Sequence, residues 1–171
     1  MEAVNERSAS SPSTAKDARN KQPNSRQCFV CGLENPIGLK LSFYDTAEGE
    51  VVCDVTIPER YQGYPGVVHG GIAASMLDEV AGRAAMQGNA WRFMMTAKLE
   101  IRYRQPVPIG QPLRLVGRIV QRRGRLATVS GEIRLADGTL CADAEALLTE
   151  IPAMPAGFSD LDQLGWRVYP D

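Results

Sequence analysis

The residues best suited to chemistry lie in one stretch, His69-Gly70-Gly71-Ile72-Ala73-Ala74-Ser75-Met76-Leu77-Asp78-Glu79, which contains the single histidine of the chain. Two glycines follow that histidine at what reads as a helix start, and two carboxylates come two turns later. The first N–H groups of a helix have no intrahelical partner and carry partial positive charge. Glycine lets another group approach them closely. Such amides suit a developing oxyanion, and Asp78 suits the role of nucleophile or general base.

Spacing turns this into a statement about assembly. Gly71 and Asp78 share one helix face, but seven residues separate them by roughly 10 Å along the axis. A reacting carbon must sit about 3 Å from both nucleophile and oxyanion donor. One helix cannot supply both to one substrate. If both act, the carboxylate comes from a second copy of the chain, and the site is composite across a symmetric dimer. Around Asp78 the same face carries the small residues Gly71, Ala74, Ser75, Gly82 and Ala85, while Ile72, Met76, Leu77 and Val80 form a core-facing stripe. The alternative is a small-residue helix packed closely on a sheet, with Asp78 solvated at an edge. Glu79 lies about 100° further round, so it reads as solvated or structural.

The elements that must hold this helix follow from patterning. Leu39 to Tyr44 and Glu50 to Ile57 read as strands joined by a turn at Ala47-Glu48-Gly49. Pro58 to Val68 is a loop, and the helix spans about Gly70 to Met86. Met95 to Arg104 alternates, with Met95, Ala97, Leu99, Ile101 and Tyr103 on one face and Thr96, Lys98, Glu100, Arg102 and Arg104 on the other. Pro106 and Pro108 end it. Leu113–Val120, Leu126–Arg134 and Cys141–Ile151 complete six strands around one helix, in the order ββαββββ. The simplest packing is an α+β fold, an antiparallel sheet wrapped around one long central helix.

The 171 residues allow one domain with tails, and a net charge of −1 gives no general attraction to nucleic acid or anionic membrane. No apolar run approaches the roughly 20 residues a bilayer span needs. Residues 1–26 are polar and lack a secretory apolar stretch, so they read as a disordered segment. Residues 27–151 form the domain. Residues 152–171 mix Pro152, Pro155 and Pro170 with Phe158, Leu161, Leu164, Trp166 and Tyr169, and read as an irregular tail that docks. Cys28-Phe29-Val30-Cys31 raises zinc or redox chemistry. Zinc would need two more ligands; His69 is engaged elsewhere, and Cys53 and Cys141 lie singly in strands. A thioredoxin-like role lacks its βαβ surroundings. The pair therefore reads as a tight turn with reduced thiols in a cytoplasmic protein, with no metal and no cofactor.

Several motifs, in order, resemble the PaaI-like acyl-CoA thioesterases of the hotdog fold: Cys28-Phe29-Val30-Cys31-Gly32, Asn35-Pro36-x-Gly38-Leu39, Gly63-x-Pro65-Gly66-x-Val68-His69-Gly70-Gly71, Leu77-Asp78-Glu79, Met95-Thr96-Ala97 and Tyr103-Arg104-x-Pro106. The resemblance runs from Gln27 to Ile151. It implies hydrolysis of an acyl-CoA thioester to free acid and coenzyme A. Asp78 would be nucleophile or general base, and the His69-Gly70-Gly71 helix start would polarise the carbonyl across a homodimer interface, with a dimer of dimers left open. Gly71 is the favoured amide donor, and His69 orients the thioester or holds the loop. Thr96 matches a threonine near the site in some relatives, or is an outward polar residue. Gln62 lines the acyl site, or is an ordinary polar loop residue. Arg122, Arg123 and Arg125 flank the Gly124 turn and could grip coenzyme A phosphates with bidentate geometry, or simply be solvated. A hotdog protein that binds acyl-CoA without cleaving it is the second functional reading; a hotdog dehydratase or hydratase is the third.

Overall fold

The computed structural model describes residues 19–90, 92–151 and 161–171, with the backbone alone at 161 and 162. Seven strands, β1 (Asn20–Lys21), β2 (Tyr44–Asp45), β3 (Val51–Thr56), β4 (Met94–Tyr103), β5 (Pro112–Arg123), β6 (Leu126–Leu135) and β7 (Leu140–Glu150), form one sheet in the order β1-β2-β3-β5-β6-β7-β4. Every pairing is antiparallel. The long helix α1 (Gly70–Ala85) packs on one face, and α2 (Leu161–Leu164) is a single turn near the end. No helix among the described residues is long and apolar enough to cross a membrane.

The expected core stripe is where the helix meets the sheet. Met76, Leu77 and Val80 are fully buried against Leu115, Val129, Ile133 and Leu148, and Ile72 packs at the margin. Removing one such side chain from water stabilises by about 1.5–3 kcal/mol. The approach is closest over Gly117, where a Cβ would stand 2.5 Å from the Val80 carbonyl oxygen. Gly117 pairs with Gly131 on β6, so the two leave a trough for α1.

Three expectations change. The strand expected over Leu39–Tyr44 shrinks to Tyr44–Asp45, because Leu39 and Leu41 donate their N–H groups to Phe29 and Val30 instead. Residues 19–26, read as part of a disordered segment, are packed, and they add strand β1. Their polar side chains replace water by protein partners: buried Asn24 Nδ2 donates to the carbonyls of Cys31 and Leu41 at 2.8 Å each, and Gln22 Nε2 donates to the Asp45 carboxylate and to the Arg83 carbonyl. A buried amide needs such partners. Residues 1–18 lie outside the described residues. The third change is in β4, where a bulge between Thr96 and Lys98 interrupts the alternation.

The tail docks where described. Asn24 and Arg167 pair by backbone. Trp166 donates Nε1 to the Ala90 carbonyl at 3.1 Å and sits 5.3 Å from the Phe93 ring. Residues 152–160 lie outside the described residues.

Candidate active site

Helix α1 carries two distinct sites, one along its second half and one at its start. The first surrounds Asp78. A cavity of about 500 Å³ is lined by Asp78, Glu79, Gly82, Cys28, Thr96 and Trp166, among others. Gly82 leaves open space, since a Cβ there would meet nothing within 4 Å. Thr96 Oγ1 donates to Asp78 Oδ1 at 2.6 Å. Strict alternation puts Thr96 on the outward polar face. The bulge after it re-phases the strand, so that Thr96 and Leu99, three residues apart, both meet the helix side. Asp78 thus keeps one carboxylate oxygen bound to a hydroxyl and the other available to a ligand.

Of the two roles open to Glu79, solvated or structural, the structure shows the structural one. It is half-buried and accepts from Arg83 Nε at 2.8 Å. Arg83 itself is only 2% exposed. Its guanidinium lies between the rings of Phe43 and Trp166 and donates to the Pro23 carbonyl at 2.5 Å. The Cys28–Cys31 turn closes over this pair. Cys28 Sγ lies 3.7 Å from Glu79 Oε2 and accepts from the backbone N–H groups of Val30 and Cys31 at 3.3 and 3.4 Å. A hydrogen bond from Cys31 holds the Cys28 thiol below the usual range, with the two turn amides helping; burial and Glu79 oppose this. The same bond and burial push Cys31 upward. All four cysteines are free thiols.

The second site is the helix start. His69 caps α1, its Nδ1 accepting the Gly71 N–H at 3.0 Å. The Nδ1 nitrogen therefore carries no proton, and the neutral ring has its N–H on Nε2. Tyr103 donates its hydroxyl to the Gly70 carbonyl at 2.8 Å, a contact absent from the sequence reading. Its position at an alternating, expected-inward site was the available signal. A cleft of about 680 Å³ opens here, lined by Gly63, Tyr64, His69, Gly70, Tyr103 and Arg104, among others. Its lining shares no residue with the Asp78 cavity. Gln62 braces the loop, accepting the Gly66 N–H at 2.7 Å, next to the cleft-lining Gly63.

The three arginines are not brought to either cavity. Arg122 donates to the Ala85 carbonyl at the end of α1, Arg125 donates to the Glu150 carbonyl at 3.2 Å, and Arg123 lies exposed beside Gln121.

Comparison with known proteins points to the thioesterases. Residues 65–142 match the thioesterase superfamily model. That span holds the helix start, Asp78 and Thr96. The sheet around one long helix is a hotdog fold, similar to that of the thioesterase superfamily. A thioesterase superfamily protein of known crystal structure is 40% identical, with a TM-score of 0.68, over 72% of this chain and 60% of that one. Acyl-coenzyme A thioesterase THEM4 of Rattus norvegicus is 32% identical over 80% of this chain and 59% of its own length. The chain thus spans a little under two thirds of these relatives. A thioesterase protein of Streptococcus pneumoniae, crystallised with coenzyme A, is 19% identical with a TM-score of 0.55 over 60% of this chain and 81% of its own, a likeness of fold. The antiparallel sheet around one long helix is the expected hotdog architecture.

Proposed function

We propose that the chain hydrolyses acyl-CoA thioesters at a site completed by a second copy. The observation that supports this most is the pairing of Asp78 with Thr96 at an apolar cavity, while His69 and Gly70 at the helix start line a separate cleft. Met86, Met94, Leu164 and Trp166 line the Asp78 cavity and suit an acyl chain. Thr96 fixes the carboxylate through Oδ1, so Oδ2 attacks the thioester carbonyl or takes a proton from water. Attack by carboxylate forms an anhydride and releases coenzyme A as thiolate; activated water gives the acid directly. In both routes negative charge grows on the carbonyl oxygen. The donor assigned to it is the amide of Gly71 of the partner subunit, assisted by its helix dipole. That amide exchanges His69 Nδ1 for the substrate oxygen, which gives His69 an orienting role.

Strand β4 provides the surface for this assembly. It ends the sheet, and its outer edge pairs with no strand among the described residues. Met95 and Tyr103 are 57% and 55% exposed along it. A long exposed edge is a template for pairing with another chain, and a two-fold axis would give each subunit the same contact. The arginines of the Gly124 turn are assigned to the coenzyme phosphates. The four free thiols suit a reducing, cytoplasmic setting.

The test is release of free thiol from a panel of acyl-CoAs. The wild-type chain is expected to turn over at least one substrate, and Asp78→Asn to lose about 10²–10⁴-fold in kcat while keeping its fold. Near-normal turnover by Asp78→Asn removes Asp78 from the mechanism. In the same assay, neutralising Arg122, Arg123 and Arg125 together should raise KM for the full acyl-CoA at low salt, and leave a short acyl thioester without the nucleotide unaffected. Equal losses on both substrates would take the arginines out of coenzyme binding.

A further inference from the structure

Cys28, Cys31 and Glu79 are brought together by the fold although 48 residues separate the turn from the helix position. Their Sγ and carboxylate oxygen atoms all lie within 4.8 Å of one another. We propose that these three residues bind a divalent transition-metal cation of the zinc class, with the fourth position facing the Asp78 cavity. The proposal is independent of the thioester reading.

Four observations carry it. The first is the turn itself. Cys28 Sγ receives N–H groups from the second and third residues after it, which stabilises a thiolate. Gly32 then closes the turn with its N–H on the Cys28 carbonyl, at a place where a Cβ would lie 2.3 Å from that oxygen. The second is distance. A tetrahedral cation about 2.3 Å from sulfur and 2.1 Å from oxygen sets the two ligands about 3.6 Å apart; Cys28 Sγ and Glu79 Oε2 are 3.7 Å apart.

The third is the carboxylate's division of labour. Glu79 Oε1 accepts from Arg83, so Oε2 is held toward the thiols as a single donor, in the way outer hydrogen bonds orient metal ligands. The fourth is an orphan. Arg83 is 2% exposed, its NH2 group is buried without a hydrogen-bond partner among the described residues, and it lies within electrostatic reach of Cys31. Such a group is costly unless it meets an acceptor, and a Cys31 thiolate is one. The charges then close: two thiolates and one carboxylate balance one divalent cation and the Arg83 guanidinium. Two thiol protons leave as the cation enters. The expectation of no metal rested on counting cysteine and histidine alone; the third ligand is a glutamate from another element.

The cation would fasten the 28–31 turn to α1 beside Asp78, and water or a substrate atom would fill the open position. The experiment loads the full chain, reduced by a non-chelating phosphine, with Zn²⁺ or Co²⁺. One equivalent per chain is expected, with thiolate-to-cobalt charge-transfer absorption and a raised Tm. Cys28→Ser, Cys31→Ser and Glu79→Gln should each weaken Zn²⁺ by about 1,000-fold or more, beyond the roughly 10–100-fold that loss of an outer contact costs. X-ray absorption on the zinc-loaded wild type keeps the test decisive if a variant misfolds: two sulfur neighbours are expected. Absence of stoichiometric uptake, a metal without sulfur ligands, or a Cys28–Cys31 disulfide forming in place of metal uptake overturns the proposal.

Discussion

The two ends of α1 are built differently. Around Asp78 and Glu79 the chain closes on itself: the Cys28–Cys31 turn, β4, the tail and a buried arginine all converge on one cavity. At the helix start the same protein stays open, with His69, Gly70 and Gly71 all exposed, although hydrogen bonds from Tyr103 and Ser75 and the His69 cap hold them. A carboxylate region enclosed by the fold and an exposed helix start, on one helix, fit the proposed shared site. The difference also separates two kinds of residue. Those at the closed end are tied into the packing of several elements. Those at the open end stand exposed.

The closed end should therefore break first. Arg83→Ala removes the partner of Glu79, a contact with two aromatic rings and a bond to Pro23. Loss of one member of a buried pair leaves the other uncompensated, and we expect destabilisation of about 3 kcal/mol, read by urea denaturation. A loss under about 0.5 kcal/mol would mean that the closed end is no more cohesive than an ordinary surface.

Thr96→Val sharpens the comparison within the closed end. It deletes a hydrogen bond to the carboxylate and keeps the shape. Thr96 is exposed, so the fold should lose no more than about 1 kcal/mol, while a misoriented carboxylate should lower kcat roughly 10- to 100-fold. A change confined to KM would show that Thr96 lines the pocket without orienting Asp78.

The open end should yield least. His69→Ala removes a cap on an exposed helix start, which costs about 1 kcal/mol. Fold and subunit contacts should survive, and activity should fall without being abolished. Complete loss of activity with intact structure would assign His69 a proton-transfer step, a role that this geometry does not give it.

How much of this was legible in the sequence also differs between the two ends. The helix was readable because its apolar stripe and its His-Gly-Gly start are local: Gly70–Ala85 lies within one residue of the expected span. Three of the later strands were readable for the same reason. Thr96 was harder. Its alternation pointed outward, and a one-residue bulge, which leaves no mark in hydrophobic periodicity, turned it inward. The segment 19–26 was misread because its polarity looks like solvation, whereas Asn24 and Gln22 bury their amides against specific carbonyls fifteen or more residues away in several cases. The structural role open to Glu79 is half local: its ion pair with Arg83 is an i,i+4 contact on one helix. Its approach to the Cys28–Cys31 turn is not, because only tertiary packing delivers that turn. The Asp78–Gly71 separation, by contrast, followed from helix rise alone, and α1 runs as one unbroken helix through both residues.

The shared site is the central claim, and mixing two defective chains tests it most directly. Asp78→Ala lacks the carboxylate. Gly71→Pro lacks the amide and crowds His69, whose Nδ1 would stand 3.1 Å from a Cβ there. Each is expected to be inactive as a pure species, with a fold verified by circular dichroism. After subunit exchange, confirmed by native mass spectrometry, an equal mixture of dimers should place one intact site in each heterodimer and restore activity to about a quarter of the wild-type level. If heterodimers form and thiol release stays at the level of the parents, both groups act within one chain and the shared site is wrong.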